Sequence, residues 1–165
     1  MNTETLQDLY FKELRDLYGS EKLIVKTLPK FTEAAQLPEL RQALAGHLSE
    51  ARGQVARLEQ IFELHGQKPA IKQGKALEGI LREAEEDLGE VSDPVLRDTV
   101  MVATMQQVKH YEIAAYGTLQ AYAIHLGHSD AAKLLQATLD EERAADRKLT
   151  EIALNHMTVE ATSSA

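Results

Sequence analysis

Ionisable side chains occur in this chain among apolar side chains that recur three and four residues apart. That spacing predicts amphipathic helices with one buried face. A charge on a buried face is costly unless it is paired or bound to a metal ion. Glu112 is the sharpest case, because it is the only charge in an otherwise apolar, heptad-like series. The candidate metal ligands are Glu21, His47, Glu50, Glu112, Glu142 and Asp146.

The spacing of these groups along the predicted helices indicates that they can meet. In an antiparallel hairpin, residues equally far from the turn lie side by side. The first predicted hairpin places Glu21 opposite a point between Glu50 and Gln54, and the second places Glu112 opposite a point between Glu142 and Asp146. Carboxylates so close in an apolar core repel each other unless divalent cations neutralise them. Oxygen ligands with one or two imidazoles favour iron or manganese over structural zinc.

The alternative is an interior network in which arginine or lysine side chains neutralise the glutamates. Such a network needs no metal ion. The available cations, Arg52, Arg57, Lys109 and Arg143, fall largely at outer or flanking positions of the predicted helices. We therefore expect metal ions, rather than these side chains, to neutralise the buried carboxylates.

The elements that position these residues are all predicted to be helices. Leu, Ala, Glu, Gln and Lys dominate every long segment, and no apolar–polar alternation indicates a strand. Asp93 and Pro94 form a strong helix start, and Ser129 is expected to cap the last helix. Two tightly joined helical pairs flank a connection with a short helix, which is the ferritin-like version of the four-helix bundle. The predicted helices span residues 4–35, 38–65, 75–88, 94–126 and 129–157.

Length and composition limit the class of protein. A chain of 165 residues fits one domain, which we assign to residues 1–157, with a disordered polar tail at 158–165. The chain has no cysteine, which excludes disulfides, thiolate zinc sites and cysteine nucleophiles. Its formal net charge of -8 argues against nucleic acid as a partner. Neither a membrane-spanning run nor a secretory signal is visible, so we expect a cytoplasmic protein.

Short motifs on all of the long helices give the chain a family resemblance. They are ELRDLY at 13–18, EK at 21–22, LPK at 28–30, VARLE at 55–59 and HYE at 110–112. With these motifs in order over nearly its whole length, the chain resembles the YciE/YciF family of bacterial ferritin-like stress proteins. The resemblance implies a ferritin-like bundle that forms a homodimer and holds a di-iron or similar centre.

The chain departs from the broader di-iron pattern, in which one helix of each hairpin carries Glu-x-x-His. Gly53 and Ala145 stand where those histidines would be, and His47 precedes its glutamate instead. Asp146 and Gln54 are therefore candidates for the vacant coordination positions.

The leading hypothesis is a dinuclear iron or manganese protein of the stress response. It would react with peroxide or dioxygen, or oxidise ferrous iron. Glu112 and Glu50 are the best candidates for bridging ligands, Glu21 and Glu142 for terminal ligands, and His47 for the nitrogen donor. Two alternatives remain open. One is iron sequestration without turnover in a hollow shell, and the other is a metal-free structural or interaction bundle.

Overall fold

The computed structural model describes residues 4–72 and 74–157 of the chain, with side chains as far as residue 155. No strand occurs in these ranges, so the all-α prediction is confirmed. The disordered tail predicted at 158–165 lies outside the described residues. The helices are α1 (Leu6–Ala34), α2 (Pro38–Leu64), α3 (Lys75–Glu90), α4 (Pro94–His125) and α5 (Ser129–Ile152), and a π-helical segment (Ala153–Met157) continues α5.

Side-chain capping explains the starts of α1 and α4, where Thr5 and Asp93 are the capping residues. Asp93 caps α4 as expected, because its side chain accepts hydrogen bonds from the first-turn backbone N–H groups. The prediction that Ser129 caps α5 was wrong, since His128 is the capping residue and Ser129 already belongs to the helix. Gly127 ends the preceding turn with φ 76°, and His128 N–H donates to the Ala123 carbonyl at 2.8 Å. Because of this tight glycine turn, α5 begins one residue earlier in the chain than predicted.

The four long helices form a bundle of two antiparallel hairpins. Helix α1 packs on α2, α4 packs on α5, and the hairpins meet through α1 with α4 and α2 with α5. The short helix α3 covers α4 on the outside. The connection before α3 is anchored to α1, where Lys72 N–H donates to the Arg15 carbonyl at 3.1 Å. Helix pairs joined by a long crossover define the ferritin-like bundle.

Two apolar clusters fill the bundle on either side of a polar layer. One surrounds Leu28 and Met105, and the other surrounds Leu14 and Leu119. Along α1 and α4 the boundary between the clusters falls at Glu21 and Glu112, respectively. No helix in the described part of the chain is both long and apolar enough to span a bilayer.

Candidate metal centre

Each long helix contributes one predicted ligand to the polar layer at mid-bundle. Glu21 on α1, Glu112 on α4 and Glu142 on α5 have 0% exposure, and His47 on α2 has 5%. His47, Glu112 and Glu142 each offer a ligand atom, and these atoms lie within 4.8 Å of one another. The burial follows from the sequence, because the apolar neighbours one turn away on either side bring the carboxylates into the core.

Lys109 lies in the middle of this group, with 0% exposure. Its Nζ is 2.8 Å from Glu112 Oε2 and 2.5 Å from Glu142 Oε2, and it makes a very short contact with His47 Nε2. The prediction that Lys109 occupies an outer or flanking position was therefore wrong. Lys109 precedes Glu112 by three residues, which places both side chains on the same face of α4. That spacing was a signal in the sequence that the two side chains are neighbours, but it does not fix whether the lysine stem extends inward or outward.

Several buried oxygen atoms of the layer lack a hydrogen-bond donor. They are Glu21 Oε2, Glu112 Oε1 and Gln54 Oε1, whereas Glu112 Oε2 forms an ion pair with Lys109 and lies 3.8 Å from His47 Nε2. An unsatisfied buried carboxylate oxygen costs free energy, and a cation is the partner that such an atom favours. The donor set of three carboxylates and one imidazole therefore fits a divalent transition metal ion.

Burial and mutual repulsion shift the pKa values of the side chains in the cluster. Burial, together with the charge of Glu142, raises the pKa of Glu21 to about 8. Burial also raises the pKa of Glu112 well above its usual value, although Lys109 opposes this shift. The pKa of His47 is lowered by burial and by the Lys109 charge, so its imidazole is neutral and can accept a hydrogen bond. Burial lowers the pKa of Lys109, but the two adjacent carboxylates more than offset this and raise it.

Glu50 and Asp146 are not brought into the cluster. Glu50 is exposed, and Asp146 Oδ1 lies 3.3 Å from Nε2 of the exposed His110. Three residues after His47, Glu50 is rotated by about 60° around the helix axis, whereas Gln54, seven residues after, is rotated by only about 20°. Gln54 is accordingly the buried residue, with 0% exposure. As metal ligands, Glu50 and Asp146 stay predictions.

Hydrogen bonds from neighbouring side chains orient two of the carboxylates. Tyr116 OH donates to Glu21 Oε1 at 2.7 Å, and Gln54 Nε2 donates to Glu142 Oε1 at 2.7 Å. In a metal site, such partners fix the direction in which a ligand presents its free lone pairs. The oxygens of Glu21 and Gln54 that remain without donors are the ones available to a bound ion.

A cleft of about 150 Å³ leads from the surface to the cluster. The exposed side chains of Glu50 and Lys148 and the buried side chains of His47 and Lys109 all line it. Gly46 contributes to its width, because nothing lies within 4 Å of where a Cβ would be. The cleft is large enough to admit water, a metal ion or a small oxidant.

The bundle and its buried carboxylate–histidine layer define the class of ferritin-like helical proteins. Comparison with known families agrees with this class. The chain belongs to the family described as a domain of unknown function (DUF892), whose profile matches residues 5–162.

The relatives of the chain include one curated protein and several solved structures. Protein YciF of Escherichia coli (strain K12) is 40% identical over 167 residues, covering 100% of both chains. The crystal structure of the E. coli stress protein YciF matches with a TM-score of 0.89, 39% identity and coverage of 94% of this chain and 99% of that chain. YcfI of Rhodopseudomonas palustris matches with a TM-score of 0.88, 45% identity and coverage of 89% and 94%. The resemblance to the YciE/YciF family is confirmed.

Proposed function

We propose that this protein is a ferritin-like metalloprotein that binds iron or manganese in its core during stress and reacts with peroxide or dioxygen, or oxidises ferrous iron. The observation that carries the proposal is the set of buried carboxylate oxygens without donors, Glu21 Oε2 and Glu112 Oε1, beside a neutral His47. The description of E. coli YciF as a stress protein supports a role in the stress response. A cytoplasmic homodimer is part of the same proposal.

Each residue of the cluster has its own role in such a site. Glu21, Glu112 and Glu142 supply oxygen ligands, and His47 Nε2 supplies nitrogen. Bound iron or manganese supplies one-electron redox chemistry that these side chains lack. Tyr116 holds Glu21 in orientation through its hydrogen bond, and the apolar clusters above and below close the layer at both ends of the bundle. The cleft beside His47 provides the route for a small oxidant.

The experiment that tests the proposal is elemental analysis of protein purified without a metal-affinity tag. Iron or manganese in the wild type, and its loss in a Glu112→Gln, Glu142→Gln double variant, are the expected results. The matched control is Glu83→Gln, Asp87→Gln, which removes two exposed acids of α3 and should retain the metal. A wild type without transition metal, even after anaerobic loading with ferrous iron, would sink the proposal.

A metal-free structural or interaction bundle is the second candidate, and Lys109 is the observation that favours it. The buried ammonium already contacts Glu112 and Glu142 and offsets part of their charge. This candidate predicts no bound metal and no effect of chelator on stability. Iron sequestration without turnover requires a hollow shell of many chains, which light scattering would separate from a dimer.

A further inference from the structure

We propose that Lys109 takes the place of one ion of a dinuclear centre, so that the core of this protein binds a single divalent metal ion, held by Glu21 and Glu112. The inference rests on the proposed metal binding and refines both its stoichiometry and its ligand set, because His47 and Glu142 then bind Lys109 instead of the ion. It concerns a feature of this chain, the fully buried lysine between the ligands.

The ammonium of Lys109 contacts three acceptors, His47 and Glu142 through hydrogen bonds and Glu112 through an ion pair. An ammonium group has three N–H donors and no acceptor. Nζ has three partners, namely His47 Nε2, Glu112 Oε2 and Glu142 Oε2. The same three residues form the group whose ligand atoms lie within 4.8 Å of one another. The ammonium therefore occupies the position that a metal ion bound by the same three residues would take.

The atoms that Lys109 leaves without a donor indicate a second position. They include Glu21 Oε2, on α1, and Glu112 Oε1, on α4. The lysine partners other than Glu112 lie on α2 and α5. Glu112 thus presents one oxygen to the ammonium and the other to the unfilled position, as a carboxylate that bridges two cations does. Tyr116 already holds the second oxygen of Glu21.

Charge leads to the same stoichiometry. A metal ion displaces protons from its carboxylate ligands, so in the loaded site three ionised glutamates and one ammonium carry two net negative charges, in a layer where every carboxylate has 0% exposure. One divalent ion neutralises them. A second divalent ion beside the ammonium would leave two net positive charges among buried side chains, one more than the same two ions would leave without the lysine.

The test counts Mn²⁺ ions, because this ion binds oxygen ligands without oxidising in air-free buffer and gives an electron paramagnetic resonance spectrum. We expect equilibrium dialysis to give about one Mn²⁺ per wild-type chain, with the spectrum of an isolated ion. Lys109→Gln, dialysed in the same way, should bind about two ions, with the spectrum of a coupled pair. The matched control is Lys148→Gln, an exposed lysine of the same cleft, which should keep the wild-type count.

A charge-balanced variant keeps the proposal testable if Lys109→Gln folds poorly. Lys109→Gln with Glu142→Gln keeps the net charge and frees His47 Nε2 from the ammonium, so we expect one ion with hyperfine coupling to nitrogen, which the wild-type ion should lack. Two coupled ions in the wild type, or one ion in both the wild type and Lys109→Gln, would overturn the inference and leave metal binding intact. No Mn²⁺ in the wild type would overturn the proposed function as well.

Discussion

The side chains of Lys109 and Glu112, three residues apart on α4, form an ion pair of 2.8 Å in which both partners have 0% exposure. Buried ion pairs contribute little net stability, because desolvation opposes the attraction. Breaking one, however, leaves an uncompensated buried charge. The pair therefore makes the metal-free core dependent on the lysine.

Replacing Lys109 with methionine should destabilise the metal-free protein by about 3–5 kcal/mol. The variant keeps the length of the side chain but leaves Glu112 and Glu142 without their cation. Urea denaturation in the presence of chelator measures the loss. The control is Lys133→Met, which removes a lysine whose side chain is 78% exposed and paired only with Asp130, and should change stability by less than about 0.5 kcal/mol. Equal effects of the two substitutions would contradict a buried role for Lys109.

Gly19 is required where the crossover connection passes over α1. A Cβ at this position would lie 2.6 Å from the backbone carbonyl oxygen of Lys72, which cannot move as a flexible side chain can. Gly19→Ala should therefore lower the free energy of unfolding by about 1–3 kcal/mol. Gly117→Ala, where nothing lies within 4 Å, should instead raise it by roughly 0.5–1 kcal/mol through helix propensity. Thermal unfolding of both variants checks the opposite signs.

The stability of the metal-free protein should fall as pH rises toward 8. Because burial raises the pKa of Glu21 from 4.5 to about 8, the folded state binds this proton more tightly than the unfolded chain does. The stabilisation from this proton is complete below the pKa that Glu21 has in the unfolded chain. It is lost as the pH rises through the pKa that Glu21 has in the folded protein. The slope is at most about 1.4 kcal/mol per pH unit for one proton.

Denaturation in chelator between about pH 7 and about pH 8.5 measures this slope while His47 stays neutral. Glu21→Gln mimics the protonated carboxyl and should reduce the slope, and the part that remains comes from Glu112, whose pKa is also raised by burial. Glu83→Gln, an exposed acid of α3, should not change it. A wild type whose stability rises with pH over this range would show that Glu21 is ionised in the folded protein.

Tyr116→Phe removes the hydroxyl that donates to Glu21 Oε1 at 2.7 Å. The substitution leaves a buried oxygen unsatisfied, so we expect a loss of about 1–3 kcal/mol in the metal-free protein. The loss of the hydrogen bond should also raise the pKa of Glu21 further, because the bond favours the ionised carboxylate. Tyr122→Phe, at a half-buried position of the same helix, is the control. Chemical denaturation that gives the same stability for both variants would contradict the role of Tyr116.

The buried carboxylates could be predicted from sequence because regular apolar neighbours fix the inward face of each helix. Lys109 could not, since a lysine at the edge of such a face can extend its four-carbon stem outward to water. Its direction depends on acceptors from other helices, His47 and Glu142, which no local pattern shows. The lysine and these two acceptors come together only in the folded bundle.

The rotation of α2 about its own axis was the second feature that the sequence did not resolve. Glu50 and Gln54 differ by about 40° around the helix axis, which is within the width of an apolar stripe. Packing against α5 decides between them, because Gln54 Nε2 donates to Glu142 Oε1 there. The all-helical fold and the hairpin pairing were less sensitive to such details, since each rests on many residues.

The most direct measurement of metal binding by this core is the melting temperature of the wild type with Mn²⁺ and with chelator, beside that of Glu112→Gln, Glu142→Gln. A ligand bound only by the native state at about 100 times its Kd adds about 2.7 kcal/mol, which raises Tm by about 5–10 °C for a chain of this size. We predict that rise in the wild type and none in the double variant. An unchanged wild-type Tm at saturating Mn²⁺ and ferrous iron would contradict the account and leave the buried cluster as a lysine-neutralised structural core.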